Sequence, residues 1–189
     1  MVRIGSVALA FALTACGDNI APPDRSRCST PAELGATGSL PVVDSFEHNQ
    51  PGSRGAHQVY VMTAKLENSE PSDILRLELW DDFGAFAGGD AEPGVFYIDG
   101  PETDLGTCGV CLTVRVDDDP LFGTNELYIA VSGTVVVDEL GDRYSGTISD
   151  ILFAEIDPET EDVMPGGCTT ELRSASFSAP LSVIGGGGG

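Results

Sequence analysis

From residue 40 onward, apolar and polar side chains alternate at a period of two, and that alternation organises the chain. In the segment 110–116, Val110, Leu112, Val114 and Val116 share one face of an extended backbone, and Cys111, Thr113 and Arg115 share the other. Leu127, Ile129 and Val131 repeat the pattern, with Tyr128, Ala130 and Ser132 on the outward side. Gly133 then marks a bulge or bend before the β-branched run 134–137. Turn chemistry at Leu140-Gly141-Asp142-Arg143 leads into a second long extended run over 144–156, which reads as a hairpin. Further strands are expected over 58–66, 95–98 and 40–46, and a last one over 169–177 continuing past Pro180. Ser72 to Phe83 alone invites a helix, with Ser72 as its cap. Leu75, Leu77 and Leu79 nevertheless alternate strictly with Arg76, Glu78 and Trp80, which favours a strand. About eight short strands without intervening helices predict one all-β domain, an antiparallel β-sandwich or open barrel.

The first sixteen residues follow a different rule. Arg3 precedes an apolar stretch from Ile4 to Leu13, and small residues lead to Cys16, the layout of an export signal. That stretch is about half the ~20 residues a spanning helix needs. Leu13-Thr14-Ala15-Cys16 resembles the bacterial lipobox. The resemblance implies cleavage before Cys16 and acylation of its thiol and amine, with fatty acids such as palmitate holding the chain to a bilayer. Gly17, not Asp, follows the Cys, which by the sorting rule of enterobacterial lipoproteins implies the outer membrane. The polar, Pro-broken stretch after Cys16 reads as a tether. The expected organisation is therefore a signal peptide at 1–15, a lipidated N-terminus and flexible tether at 16–38, a β domain at 39–184 and a disordered glycine tail at 185–189.

Composition narrows the partners. Thirty acidic residues stand against nine basic ones, for a net charge of -21, and the only lysine is Lys65. Such a surface repels polyphosphates, which excludes nucleic acid as a partner. Leu, Val, Ile and Phe make up about 26% of the chain, above the level of roughly 20% below which chains tend to disorder. Beyond Cys16 four cysteines remain, Cys28, Cys108, Cys111 and Cys168, an even number in an exported chain. Two disulfides are expected among three possible connectivities. The preferred pairing is Cys28 with Cys168 and Cys108 with Cys111, the latter requiring a turn at Gly109-Val110.

Candidate chemistry is sparse. Cys108-Gly109-Val110-Cys111 has the C-x-x-C spacing of thiol-disulfide oxidoreductases, but a strand pattern follows it where those enzymes have a helix. Asp117-Asp118-Asp119, Asp81-Asp82 and the acidic segment from Glu155 to Asp162 offer oxygen ligands for calcium without the spacing of a calcium loop. Trp80 with Tyr60, Tyr97 or Tyr128 offers a sugar platform, and the two together make a calcium-dependent carbohydrate binder the main alternative function. His48 and His57 lie in a polar, Gly-rich stretch and read as exposed loop residues, so no catalytic residue, metal ligand or cofactor is assigned.

Several segments of the mature chain, Gly106-Thr-Cys-Gly-Val-Cys-Leu, Ser132-Gly-Thr-Val, Tyr144-Ser-Gly-Thr-Ile and Cys168-Thr-Thr before Ala175-Ser-Phe-Ser-Ala, resemble uncharacterised lipoproteins of deltaproteobacterial type. That resemblance implies the fold and transfers no activity. The expectation is a non-catalytic, lipid-anchored β module of the outer membrane, its protein or glycan partner unknown.

Overall fold

The computed structural model describes residues 28, 30–35, 37–52, 55–67, 71–118 and 126–184. The expected signal peptide at 1–15, Cys16, residues 17–27, Asp119 and the glycine tail lie outside the described residues. The strands are β1 (Thr37–Ser39), β2 (Val42–Gly52), β3 (Gly55–Lys65), β4 (Ser72–Trp80), β5 (Gly94–Tyr97), β6 (Val110–Asp118), β7 (Glu126–Leu140), β8 (Arg143–Ile156), β9 (Thr169–Pro180) and β10 (Ser182–Val183). Two short 3-10 turns, Gly84–Phe86 and Gly100–Thr103, complete the order, and no α-helix occurs among the described residues. The 72–83 segment resolves as β4, and its three leucines are fully buried while Arg76, Glu78 and Trp80 are not.

All ten strands belong to one sheet in the order β1-β9-β8-β7-β6-β4-β3-β2-β10, with β5 paired to the second half of β7. The sheet curls into a half-barrel around a single core. Neighbours are antiparallel except at its two ends, where β1 runs parallel to β9 and β10 parallel to β2. Since β1 leads directly into β2 and β9 into β10, both parallel pairs set the first stretch of described chain against the last.

The curl has a local cause. On β7 Tyr128 and Ala130 face the main core, because Val114 pairs with Tyr128 and register carries the inward face across, while Ile129, on the face where the sequence alternation set Leu127, Ile129 and Val131, is buried on the opposite side. Beyond Gly133 the inward set switches to Val135 and Val137. The same switch occurs on β8, from Tyr144 and Ile148 to Ile151 and Phe153, and on β9, between Leu172 and Ala175. The register shifts on β7 and β8 bracket Gly133. Gly133 has φ 130° and Asp150 has φ 53°, and a Cβ on Gly133 would overlap the Ile151 side chain. Register shifts between β7 and β8, with the change of inward face carried on into β9, thus bend the sheet without breaking its core.

The domain also begins earlier than residue 39. Leu34 is buried, its N–H donates to the Glu171 carbonyl at 2.8 Å, and Thr170 donates its hydroxyl to the Pro31 carbonyl at 2.7 Å. Residues 30–35 are therefore docked along β9 and do not belong to a tether. The apolar Leu34 and the bridge made by Cys28 account for the difference.

Candidate functional site

The expected cysteine pairing is present. Cys28 joins Cys168 with Cα atoms 5.7 Å apart, and Cys108 joins Cys111 at 5.3 Å, both within the usual span. Cys16 lies outside the described residues. Cys108 and Cys111 are only 2% and 3% exposed, so this C-x-x-C pair presents little surface to a thiol or disulfide of another molecule.

The reason for that burial is Glu102, a residue the sequence did not single out. Its Oε1 accepts the Ala85 N–H at 2.6 Å, and its Oε2 accepts the Gly109 and Val110 N–H groups at 2.9 and 2.5 Å. One carboxylate thereby joins both 3-10 turns to the first residue of β6. Gly84 and Gly109 make room for it, since a Cβ on Gly84 would overlap Glu102 and one on Gly109 would overlap the Phe83 carbonyl. Burial pushes the Glu102 carboxyl above its ordinary range, and the three N–H donors pull the other way without cancelling the effect.

At the opposite end of β6 the arrangement is open. A cavity of about 250 Å³ is lined by Arg115, Glu126, Leu127, Glu155, Ile156 and Met164. Register places Arg115, Leu127 and Ile156 side by side across β6, β7 and β8, and sets Tyr128 opposite Glu155 on the other face. Tyr128 donates to Glu126 Oε2 at 2.5 Å and Thr30 donates to the same oxygen at 2.7 Å. Burial, with the Glu126 carboxylate beside it, raises the Tyr128 phenol well above its ordinary value, so it stays a donor. Glu155 Oε2 accepts the Cys168 N–H at 2.8 Å, which ties this rim to the long bridge. The 157–167 loop folds back over the end of β8, with the Met164 N–H donating to the Glu155 carbonyl at 2.9 Å. Gly167 lies against Met164, where a Cβ would sit 3.0 Å from the methionine Cβ.

The remaining candidates separate. His48 and His57 are on β2 and β3, not in loops, and His57 is only 7% exposed, with its Nδ1 3.4 Å from Asp82 Oδ2 and its ring edge-on to Phe83. Strand pairing of 48 with 59 and of 57 with 50 carries this polar stretch into the sheet, which its composition hid. Trp80 lies on the outer face, donating its indole N–H to Glu78 Oε2 at 2.9 Å, whereas Tyr60 and Tyr128 pack on the core side. A platform joining Trp80 to either of them is therefore not formed; Tyr97 is 67% exposed on β5. The acidic segments serve turns: Asp81 accepts the Ala91 N–H, Asp73 that of Asp117, and Asp157 those of Glu159 and Thr160. Among the described residues, no three His, Cys, Asp or Glu side chains are placed to hold a metal ion.

Arg115 was legible as an outward residue of a strand, but its place at a cavity with Leu127, Ile156 and Met164 comes only from tertiary register and loop return. No protein family, curated protein or solved structure matches this chain.

Proposed function

We propose that the chain is an outer-membrane lipoprotein, anchored by acyl groups on Cys16, whose β domain, an antiparallel sandwich or open barrel, acts as a non-catalytic binding or structural module. The lipobox at Leu13–Cys16 motivates the anchor. The observation that carries the reading is the Cys28–Cys168 bridge, which fastens the chain to β9 only twelve residues after Cys16. A bridge of that kind belongs to an oxidising compartment. Twelve residues reach at most about 40 Å, so the domain would be held close to the surface that the acyl chains enter. Cleavage would remove Arg3 and leave eight basic against thirty acidic residues, which keeps the domain off an anionic lipid face and makes its tether the bilayer contact. The burial of Cys108 and Cys111 favours a module over a thiol oxidoreductase.

Metabolic labelling with an alkyne-bearing palmitate analogue tests this. The wild-type chain should take up label and partition into detergent, and Cys16→Ser should do neither; equal behaviour of the two chains would overturn the anchor.

A further inference from the structure

β5 is held on one side only. It pairs with the second half of β7 and with no other strand, while β6 occupies the same flank of β7 over the first half. The Ile98 N–H donates to the Gly133 carbonyl at 3.0 Å. In an antiparallel ladder, residues alternate between turning their N–H and C=O groups to the partner and turning them away. Gly94 and Phe96 therefore face β7 as Ile98 does, and Val95 and Tyr97 turn their main-chain groups outward. Among the described residues no hydrogen bond reaches those four groups. The side chains agree with the backbone. Phe96 packs edge-on to Phe86 on the core side, whereas Val95 and Tyr97 stand 56% and 67% exposed. The result is a short open edge, of the kind that sheets present to an added strand.

Charge decides what would cover it. From residue 77 to residue 114 the sequence has eight acidic residues and no lysine, arginine or histidine. Exposed acids stand at both ends of β5. Asp90 and Glu92 lead into it, Asp99 follows it, and Asp138 and Glu139 follow Val137, the partner of Gly94. A second copy of the chain would bring the same net charge of -21 to this edge and meet repulsion. We infer that β5 is a docking edge for an extended basic peptide segment of a partner protein, which adds to the sheet as a further strand. Residues of that segment opposite Val95 and Tyr97 exchange main-chain hydrogen bonds with them and are apolar, because paired residues share a face. Lysine or arginine on either side of them meets the acids at the strand ends. The inference deepens the reading of the domain as a binding module and rests on it.

Fluorescence anisotropy on the full chain in detergent, with labelled Lys-Lys-Val-Thr-Val-Lys-Lys as the probe, tests it. The probe should bind one to one, and Glu-Glu-Val-Thr-Val-Glu-Glu should not bind at millimolar concentration. N-methylation of both valines removes the N–H groups aimed at β5 and should weaken binding by about tenfold or more. N-methylation of the threonine, at equal charge, should change it by less than about threefold. Val95→Pro removes an outward N–H from an edge strand, where proline is tolerated, and should weaken binding by about fivefold with the circular dichroism of the wild type. If that variant fails to fold, the methylated peptides on the wild-type chain decide alone. No binding of the basic probe at millimolar concentration, equal binding of the acidic one, or equal weakening by the two methylations would overturn the inference and leave the acyl anchor standing. A chain that dimerises in sedimentation and separates on Val95→Pro would also overturn it, in favour of a second copy on this edge.

Discussion

The two ends of β6 use the same functional group to opposite effect. At the Val110 end, the Glu102 carboxylate is almost wholly enclosed and its two oxygens accept three backbone N–H groups. At the Arg115 end, Glu126 and Glu155 keep partial exposure at the rim, Glu126 accepting from Thr30 and Tyr128 and Glu155 from the Cys168 N–H. The difference teaches that the acidity of this chain is not one property. A carboxylate that closes on backbone donors inside the domain is a structural clamp, and one at the rim, held by hydroxyls or a single N–H, keeps contact with solvent. The two bridges divide in the same way, since Cys108–Cys111 closes three residues beside the clamp and Cys28–Cys168 closes 140 beside the cavity.

The largest expected effect separates those bridges. In the loop-entropy description, a bridge closing well over a hundred residues contributes about 5 kcal/mol and one closing three residues about 2 kcal/mol. Cys28→Ser with Cys168→Ser should therefore lower the melting temperature by roughly 10–20 °C, against less than about 10 °C for Cys108→Ser with Cys111→Ser. Equal losses in scanning calorimetry would mean that the short bridge, not the long one, governs the domain.

Next comes the clamp itself. Glu102→Ala leaves three N–H groups without acceptors in a buried site, at a cost of about 3 kcal/mol or more. Urea titration should show the loss as a lower midpoint. A change below about 0.5 kcal/mol would show that water enters and replaces the carboxylate.

A smaller effect reads the clamp through pH. Burial raises the carboxyl groups of Glu102, Asp73 and Asp81 above their ordinary values. Each then binds its proton more tightly in the folded chain than in the unfolded one. Their contribution to stability is full below the unfolded carboxylate range and is lost as pH climbs through the raised folded values. The net charge of -21 acts in the same direction, because protonation relieves repulsion. Melting temperature should thus fall as pH rises out of the ordinary carboxylate range, and Glu102→Gln should make the fall shallower. A melting temperature that rises with pH across this window would contradict the assignment of burial as the dominant cause.

Strand positions were legible in the sequence because period-two alternation is a local signal that burial on one face imposes. Leu75, Leu77 and Leu79 announced β4, and the even count of four cysteines beyond Cys16 announced two bridges without choosing among three connectivities. What alternation does not encode is which face of a strand turns inward after a bulge. Leu127, Ile129 and Val131 outscored Tyr128 and Ala130 in apolar count, yet register with Val114 turns Tyr128 and Ala130 to the main core, and Ile129 is buried on the other face. Glu102 was invisible for a related reason. Among thirty acidic residues nothing local marks the one whose acceptors meet N–H groups at positions 85, 109 and 110. The rim cavity is likewise built from β6, β7, β8 and the returning 157–167 loop, and no window of sequence contains it.

Non-reducing peptide mass spectrometry of the chain purified from its own membranes tests the central claim most directly. The account predicts a first peptide beginning at Cys16 with its thiol and amine both acylated, together with crosslinked peptides joining Cys28 to Cys168 and Cys108 to Cys111. A chain that begins at Met1 and carries free thiols at these positions would contradict it.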